Sequence, residues 1–561
     1  MSILSIIIVG LGCLGLGYIF FGRFLSRYFG LDPKVCTPAV EINDGVDYVP
    51  AKAGFLVGQH LSAIAAAGPI VGPVLAGIWF GWLPAILWIV LGAIFIGGVH
   101  DLAALVASVR HKALSIGEIV KQHISKSAFY LFLIFVWLTL IYVIIAFTDI
   151  TAETFKTVIS NEAYGPGVAA SSVLYLAIGF AMGICLYKLR MPLWLATAIF
   201  IPMVLFVVWL GPNLPKSILA AFASPGVKTW DVILLGYCFM AAIIPMWLLL
   251  QPRGYLGGCF LYGTIIACLV GVFFGGYNIN YLAVNLEGFN SLFNNKPVFP
   301  LLFITIACGA ISGFHAIVAS GTTSKQIRCE PDAKTVGYGA MILEGVLALL
   351  ALSTVMILMP GDETLKKDPN QVYAIGIAKY MGLLGIDFNL ALSFALLAFS
   401  TFVYDTLDVC TRLGRYVLQE LLGWHGRGSA PAAAFITLLI PLGFLLMTKE
   451  HAYLVAWPVF GTSNQLLASL TLMGLSVWLW QTGRNPLVTL IPMLVIMVMT
   501  FWSLVLLIMP GINAVISGTA LNLQGVVITV TSGILFILAV CVIIVTVIAV
   551  IKRIGAKTTP I

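Results

Sequence analysis

Long apolar runs alternate with short polar segments along almost the whole chain. Each run is about 20 residues long, the length that a helix needs to cross the hydrocarbon core of a bilayer. The runs predict spans at 3–21, 57–80, 83–108, 128–148, 168–188, 193–211, 230–251, 258–276, 299–321, 337–359, 388–410, 431–447, 452–480, 487–509 and 522–551. The pattern therefore predicts an all-α polytopic membrane protein with about 15 transmembrane helices.

Two of these runs, 57–80 and 299–321, are expected to be broken helices. The first contains two Gly-Pro pairs, at 68–69 and 72–73. Proline lacks the backbone N–H and glycine holds a helix poorly, so a helix through these pairs is expected to break. Broken apolar helices that carry polar side chains at mid-depth are the usual pointer to a transporter binding site.

The two interrupted runs share a similar segment. Ala63–Gly68 reads AIAAAG and Ala316–Gly321 reads AIVASG, and a histidine precedes each, His60 and His315. The two runs are the second and the ninth predicted spans, so they pass through the membrane in opposite directions, as an inverted repeat requires. Chance is the alternative, because Ala, Ile and Gly are common in membrane helices.

Composition narrows the class of protein. Hydrophobic residues make up 61% of the 561 residues and charged residues only 9%, which excludes a soluble globular protein. The ten cysteines form no C-x-x-C pair, so neither a zinc knuckle nor a redox pair is indicated. No G-x-x-x-x-G-K motif is present, which argues against ATP as the energy source. We predict no cofactor, no metal and no nucleic-acid partner; membrane lipids surround the chain, and its oligomeric state is not specified.

The positions of the 29 lysine and arginine residues predict the orientation. Most of them fall in the odd-numbered loops and the C-terminal tail. The positive-inside rule places these segments in the cytoplasm and the N-terminus outside, in a multi-pass protein of the cytoplasmic (inner) membrane. The segment 372–381 is predicted to be a short amphipathic helix at the membrane surface.

Ionisable side chains inside the membrane are costly, so each is a functional candidate. His100 and Asp101 are neighbours late in the third span, and Glu344 lies within the tenth. Asp405 and Asp408 share one helix face and could form a sodium site or a proton relay. The alternative for Asp408 is a structural ion pair with Arg412, one turn further along.

Polar residues 461–465 interrupt the thirteenth span, which makes it a candidate for a broken or re-entrant helix. They could line the cavity or join helices through hydrogen bonds.

These residues are where the sequence resembles the carbon starvation protein A (CstA) family. The motifs that carry the resemblance are Gly58-Gln59-His60 with the two Gly-Pro pairs, Gly98-Val99-His100-Asp101, Ser312-Gly313-Phe314-His315 with Ser320-Gly321-Thr322-Thr323, and Phe402 to Arg415. The resemblance implies a LeuT-like inverted-repeat core with two broken helices plus extra helices. It also implies a CstA-type region over 1–385 and a C-terminal five-helix module over 386–561. The family is linked to peptide uptake in carbon starvation, and close relatives to proton-driven uptake of pyruvate.

We therefore predict a secondary active transporter, not an enzyme, that imports peptides or pyruvate-like small carboxylates with protons or sodium. The rival functions are a channel or facilitator for small metabolites, and a membrane enzyme that binds a metal through His60, His100 and His315. The predicted substrate-binding residues are Gln59, His60, Ser62, Gly68, Pro69, Gly72, His315, Ser320, Gly321, Thr322 and Thr323. The predicted coupling-ion residues are His100, Asp101, Glu344, Ser400, Thr401, Asp405, Asp408 and Asn464.

Overall fold

The protein is almost entirely helical. The computed structural model describes residues 2–44, 48–159, 161–245, 247–286, 297–424, 426, 428–448 and 451–558. Within these ranges one small sheet is formed, in which β1 (Val158–Ile159) pairs antiparallel with β2 (Glu162–Ala163).

The helices follow one another with short connections. The first half of the chain contains α1 (Ile3–Phe29), α2 (Pro38–Glu41), α3 (Ala53–Ile64), α4 (Gly68–Phe80), α5 (Trp82–Arg110), α6 (Ile116–His123), α7 (Lys126–Thr154), α8 (Gly165–Tyr187), α9 (Leu193–Asn213), α10 (Lys216–Ala223), α11 (Val227–Ile243) and α12 (Leu250–Phe274). The second half contains α13 (Val298–Thr305), α14 (Gly313–Val318, continued by the π-helical turn Ala319–Thr323), α15 (Lys334–Met356), the 3₁₀ turn Glu363–Lys366, α16 (Pro369–Gly382), α17 (Phe388–Leu422), α18 (Ser429–Met447), α19 (Ala452–Gln481), α20 (Leu487–Ser517) and α21 (Leu523–Thr558).

Many of these helices have the dimensions of membrane spans. In the described part of the chain, 11 helices are long and apolar enough to cross a membrane, and the number is 13 if each of two bent pairs is one crossing. The bent pairs are α3–α4, at 54°, and α10–α11, at 91°. Two further predicted spans lie outside this set: 299–321 is divided between α13 and α14, and 452–480 corresponds to α19. The polytopic helical class is thus confirmed, and the count of about 15 stays a prediction.

The first broken helix bends immediately before its first Gly-Pro pair. Residues 65–67 separate α3 from α4, and Pro69 lies in the first turn of α4, where its missing N–H costs no hydrogen bond. Pro73 lies inside α4, so the helix continues through the second Gly-Pro pair. The break expected at this pair is not formed.

The second broken helix is interrupted between α13 and α14, over residues 306–312. The segment Ala316–Gly321, which resembles the break of the first helix, is itself helical and starts after the interruption. The break of the second helix therefore precedes the similar segment, whereas the break of the first helix lies within it. Pro69 directly follows Ala63–Gly68, whereas Thr322 follows Ala316–Gly321, whose backbone can continue the helical hydrogen bonds.

The two broken helices cross at their interruptions. A Cβ atom at Gly68 would overlap the side chain of Cys308, and one at Gly72 would overlap the carbonyl oxygen of Thr305. Only a residue without a side chain permits this approach of α4 to the end of α13. The glycines of both Gly-Pro pairs thus hold the two breaks together.

Two other local expectations are wrong. Helix α19 runs for 30 residues without a break. The hydroxyl of Thr462 donates to the carbonyl oxygen of Pro458 at 2.6 Å and lies 2.9 Å from the hydroxyl of Ser503. This polar side chain is therefore accommodated in a continuous helix. Helix α16, predicted to be interfacial, is buried from Val372 to Ala378, and Lys379 is exposed near its end. The Tyr380 hydroxyl lies 2.9 Å from that of Ser353 inside the bundle, so this polar group is paired within the protein.

Candidate substrate and coupling sites

A cavity of about 60 Å³ lies where both broken helices approach α12 and α17. It borders α3 on one side and the π-helical turn after α14 on the other. Its lining residues are Gln59, His60, Ser62, Ala63, Leu250, Gln251, Gly254, Val318, Thr322, Thr323, Gln326, Asp405 and Val409. A concave site with convergent polar groups between broken helices is the geometry expected of a transporter binding site.

The predicted substrate residues divide into two groups. Those that line the cavity are Gln59, His60, Ser62, Thr322 and Thr323. Those that do not line it are Gly68, Pro69, Gly72, His315, Ser320 and Gly321. Gly68 and Gly72 lie at the helix crossing instead, and the Ser320 hydroxyl donates to the carbonyl oxygen of Ala316 at 2.7 Å.

His60 joins the two broken helices across the cavity. Its Nδ1 lies 2.9 Å from the hydroxyl oxygen of Thr323. Its Nε2 is buried and, among the described residues, has no hydrogen-bond partner. An unpartnered polar atom on a buried ring is costly unless a ligand or water pairs with it, so Nε2 is available to a bound molecule.

A second buried cluster contains three of the predicted coupling residues and His315. Oδ1 of Asp101 lies 2.7 Å from Nδ1 of His100, and Oδ2 lies 2.8 Å from Nδ1 of His315. Nε2 of His315 in turn lies 3.1 Å from a carboxylate oxygen of Glu344. All four side chains are fully buried, and two carboxylates and two imidazoles form one cluster across α5, α14 and α15, in which the His315–Glu344 contact is an ion pair without hydrogen-bond geometry.

A third cluster, which the sequence analysis missed in part, is built on Arg253. This arginine lies in the first turn of α12 and is fully buried. Its Nε donates to Oδ1 of Asp405 at 2.8 Å, and its Nη1 lies 2.6 Å from Oδ2 of Asp408. The Tyr237 hydroxyl donates to the same Asp408 oxygen at 2.8 Å.

Asp405 connects this third cluster to the cavity. Its Oδ2 accepts a hydrogen bond from Ser62 at 2.9 Å, and Asp405 itself lines the cavity. The predicted pair of Asp408 with Arg412 is not formed: Arg412 donates to the backbone carbonyl oxygens of Ala241 and Ile244, both at 2.7 Å. Both aspartates bind Arg253 instead, because the tertiary fold brings α12 alongside α17.

The remaining predicted coupling residues lie away from these carboxylates. The Ser400 hydroxyl bonds within its own helix, to the carbonyl oxygen of Leu396 at 3.0 Å. Thr401 is buried and its hydroxyl has no partner among the described residues. Asn464 accepts a hydrogen bond from the backbone N–H of Phe314 at 3.0 Å, and so caps the start of α14.

The three histidines of the metal hypothesis do not converge. His100 and His315 both turn their Nδ1 atoms to Asp101, whereas His60 turns to Thr323. Across the described ranges, no group of three or more His, Cys, Asp or Glu side chains is placed to hold a metal ion.

Comparison with solved structures finds transporters. A crystal structure of the Eremococcus coleocola manganese transporter superposes with a TM-score of 0.47 at 14% identity, over 91% of this chain and 99% of that chain.

Comparison of sequences identifies more similar proteins. The peptide transporter CstA of Helicobacter pylori strain J99 is 32% identical over 578 residues, which cover 90% of this chain and 82% of that protein. The peptide transporter CstA of Escherichia coli K12 is 31% identical, over 85% of this chain and 77% of that protein. The pyruvate/proton symporter BtsT of the same strain is 29% identical, over 90% of this chain and 81% of that protein. The family model of carbon starvation protein CstA matches residues 2–365 and 361–503, and the chain therefore belongs to this family.

Proposed function

We propose that the chain is a secondary active transporter that imports peptides or pyruvate-like small carboxylates across the cytoplasmic membrane together with protons. The observation that carries the proposal is the cavity between the two broken helices, which ends on the carboxylate of Asp405. A substrate in this cavity would contact both broken helices and an ionisable group at once. The names of the relatives, a peptide transporter and a pyruvate/proton symporter, agree with this class.

The size of the cavity favours the smaller substrate. Its volume of about 60 Å³ has room for about four to six water-sized groups, since each needs about 10–15 Å³. A molecule of the size of pyruvate fits this space. We therefore rank a small carboxylate before a peptide.

Proton coupling is supported by the two buried clusters. Asp405 borders the cavity, and the chain from His100 to Glu344 offers four groups that can hold or pass a proton. Both clusters contain oxygen and nitrogen atoms within hydrogen-bond distance of one another, which suits proton transfer. Sodium remains the alternative coupling ion for the experiment to separate.

The wider architecture of the proposal follows the family resemblance. It includes a LeuT-like core with both broken helices within 1–385, a five-helix module over 386–561, and action in carbon starvation. It also includes an external N-terminus and a cytoplasmic C-terminus, which follow from the distribution of positive charge.

Uptake into proteoliposomes tests the proposal. Labelled pyruvate and labelled alanyl-alanine are supplied in parallel, with no gradient, an inward proton gradient or an inward sodium gradient. We expect accumulation of pyruvate above its external concentration with the proton gradient alone. Equilibration without accumulation under every gradient would instead indicate a facilitator or a channel.

A further inference from the structure

Arg253 carries a buried positive charge directly behind the cavity. Its side chain is fully buried, and its neighbours along α12, Gln251 and Gly254, both line the cavity. Its Nη2 lies 2.8 Å from Oδ1 of Asp405, yet among the described residues this nitrogen has no partner with hydrogen-bond geometry. The guanidinium therefore keeps an unused donor on the side of Asp405.

The two aspartates that hold Arg253 are not equivalent. Asp408 lies away from the cavity and is bound by Tyr237 as well as by Arg253. Asp405 lines the cavity, where its remaining partner is the hydroxyl of Ser62. Of the two carboxylates, Asp405 is the one that a molecule in the cavity can displace.

Displacement of Asp405 by a substrate carboxylate would change the net charge of the buried cluster. One guanidinium with two carboxylates carries a net charge of about −1 when both acids are ionised. A substrate carboxylate added to this buried cluster would raise the negative charge further, and an unpaired buried charge is costly. A proton taken up by Asp405 cancels the added charge.

We infer that Arg253 is the receptor for the substrate carboxylate, and that it exchanges Asp405 for the substrate when Asp405 takes up a proton. In this step a proton from the aqueous side bonds to a carboxylate oxygen of Asp405 and the Asp405–Arg253 ion pair breaks. The substrate carboxylate then forms an ion pair with Arg253, and the net charge of the cluster is unchanged. The inference rests on the proposed transport of small carboxylates and names the residue that would select them.

Several other groups surround the exchanging carboxylate. The hydroxyl of Ser62 keeps its place as a partner of the protonated acid, and His60, whose Nε2 has no partner among the described residues, also lines the cavity. The Tyr175 hydroxyl holds the start of α12 by donating to the carbonyl oxygen of Arg253 at 2.8 Å. The titratable and charged side chains around the cluster of Asp405, Arg253 and Asp408 include His60, Tyr175, Tyr237, Cys238, Tyr404 and Arg412.

Binding of labelled pyruvate to the purified full-length protein, measured from mildly acidic to mildly alkaline pH, tests the exchange. In the wild type, the affinity for pyruvate should fall as the pH rises. At the upper end of the range it should fall by about tenfold per pH unit, because one proton is bound with each anion. Asp405→Asn mimics the protonated acid, so its binding should be independent of pH. In proteoliposomes this variant should still exchange pyruvate across the membrane but lose proton-driven accumulation.

Two variants provide the comparison. Asp408→Asn makes the same chemical change on the other aspartate of the cluster, and its pH slope should remain that of the wild type, whatever its affinity. Arg253→Lys keeps the charge but loses the planar fork, and we expect at least about tenfold weaker binding. Arg412 is a buried arginine that, among the described residues, donates to the backbone carbonyl oxygens of Ala241 and Ile244. Arg412→Lys controls for the general loss of a guanidinium and should bind pyruvate as the wild type does.

The outcomes separate this inference from the proposed function. If the wild type neither binds nor accumulates pyruvate or alanyl-alanine, the proposed function fails. If the wild type accumulates pyruvate but Asp405→Asn keeps the wild-type pH slope, the exchange is wrong, even where Arg253→Lys does not fold. Equal binding of pyruvate and its neutral analogue pyruvamide would also overturn the role of Arg253, because the amide has no charge for the guanidinium to recognise.

Discussion

His315 lies between two acids: its Nδ1 is 2.8 Å from Asp101 and the opposite ring nitrogen is 3.1 Å from Glu344. The ring therefore bridges α5 and α15 from the second broken helix. All three side chains are fully buried, and because Asp101 also contacts His100, Glu344 is the carboxylate that depends on His315 for its ion pair.

We expect His315→Ala to destabilise the protein. Removing the ring leaves two buried carboxylates without a bridging partner, and breaking a buried pair in this way costs about 3–5 kcal/mol. The midpoint of thermal unfolding in detergent should fall clearly below that of the wild type. The matched control is His451→Ala, because the His451 side chain is 50% exposed and its loss should change the midpoint little. The double variant His315→Gln, Glu344→Gln should recover part of the lost stability, because it removes one acid together with the ring. Equal unfolding midpoints for the wild type and His315→Ala would contradict the prediction.

His60 should behave differently from His315. It lines the cavity and makes one hydrogen bond, to Thr323, so His60→Ala should cost only about 1 kcal/mol of stability. Because its Nε2 is unpartnered, we expect the variant to fold and insert but to take up labelled pyruvate about tenfold more slowly, which corresponds to about 1.4 kcal/mol. Thr323→Val removes only the hydroxyl that orients the ring and should have a smaller effect. Uptake by His60→Ala at the wild-type rate would exclude this ring from substrate contact.

The contrast between these histidines indicates what the sequence can and cannot predict. The apolar runs, the proline positions and the motifs of the family were sufficient to predict a polytopic helical transporter with breaks near 57–80 and 299–321. They were not sufficient to distinguish a cavity histidine from a bridging one, because Asp101 and His315 are 214 residues apart in the chain. The partner of an ionisable residue depends on which helices pack together.

Arg253 shows the same limit. It lies between the predicted spans 230–251 and 258–276, so the pattern of apolar runs places it in a loop. The structure places it inside the bundle, bonded to an aspartate 152 residues away. The available signal was Asp405 and Asp408 on one face of a predicted span, since two buried acids require a cation. That signal indicates that a partner exists, but not which of the arginines provides it.

Gly257 permits the close approach of α12 to Asp405. A Cβ atom at this position would overlap the Asp405 carboxylate and would lie 3.2 Å from the Ser62 hydroxyl oxygen. We therefore expect Gly257→Ala to displace the carboxylate from Arg253 or Ser62 and to reduce proton-driven pyruvate uptake by at least about tenfold, or about 1.4 kcal/mol. Gly263→Ala is the control on the same helix, because its Cβ would lie 3.6 Å from Phe394, an ordinary contact. Similar uptake rates for both variants would show that the approach at Gly257 does not matter for transport.

A pair of histidines outside the membrane-spanning segments shares a hydrogen bond. The Nε2 atoms of His111 and His123 lie 2.8 Å apart. Each Nδ1 faces an oxygen acceptor, the Ala107 carbonyl at 2.6 Å and the Gln481 amide at 2.7 Å, so both Nδ1 atoms carry hydrogen. Protonation of both rings would place two positive charges in contact.

This geometry predicts that the contact between His111 and His123 stabilises the protein less in acid. Burial lowers the pKa of His111, the hydrogen bond from its ring to Ala107 raises it, and the neighbouring His123 lowers it again, with a net decrease from the usual value. Below about pH 6.5, the unfolded chain therefore binds more protons at His111 than the folded protein does. The contribution of His111 to the free energy of unfolding is present above that pH and is lost as the pH falls. The difference in thermal unfolding midpoint between wild type and His111→Asn should accordingly narrow on acidification. For Gln122→Ala, a neighbouring change without a titratable group, the difference in unfolding midpoint from the wild type should not change with pH. If the difference for His111→Asn widens in acid, the prediction is wrong, because His111 would then bind its proton more tightly in the folded protein than in the unfolded chain.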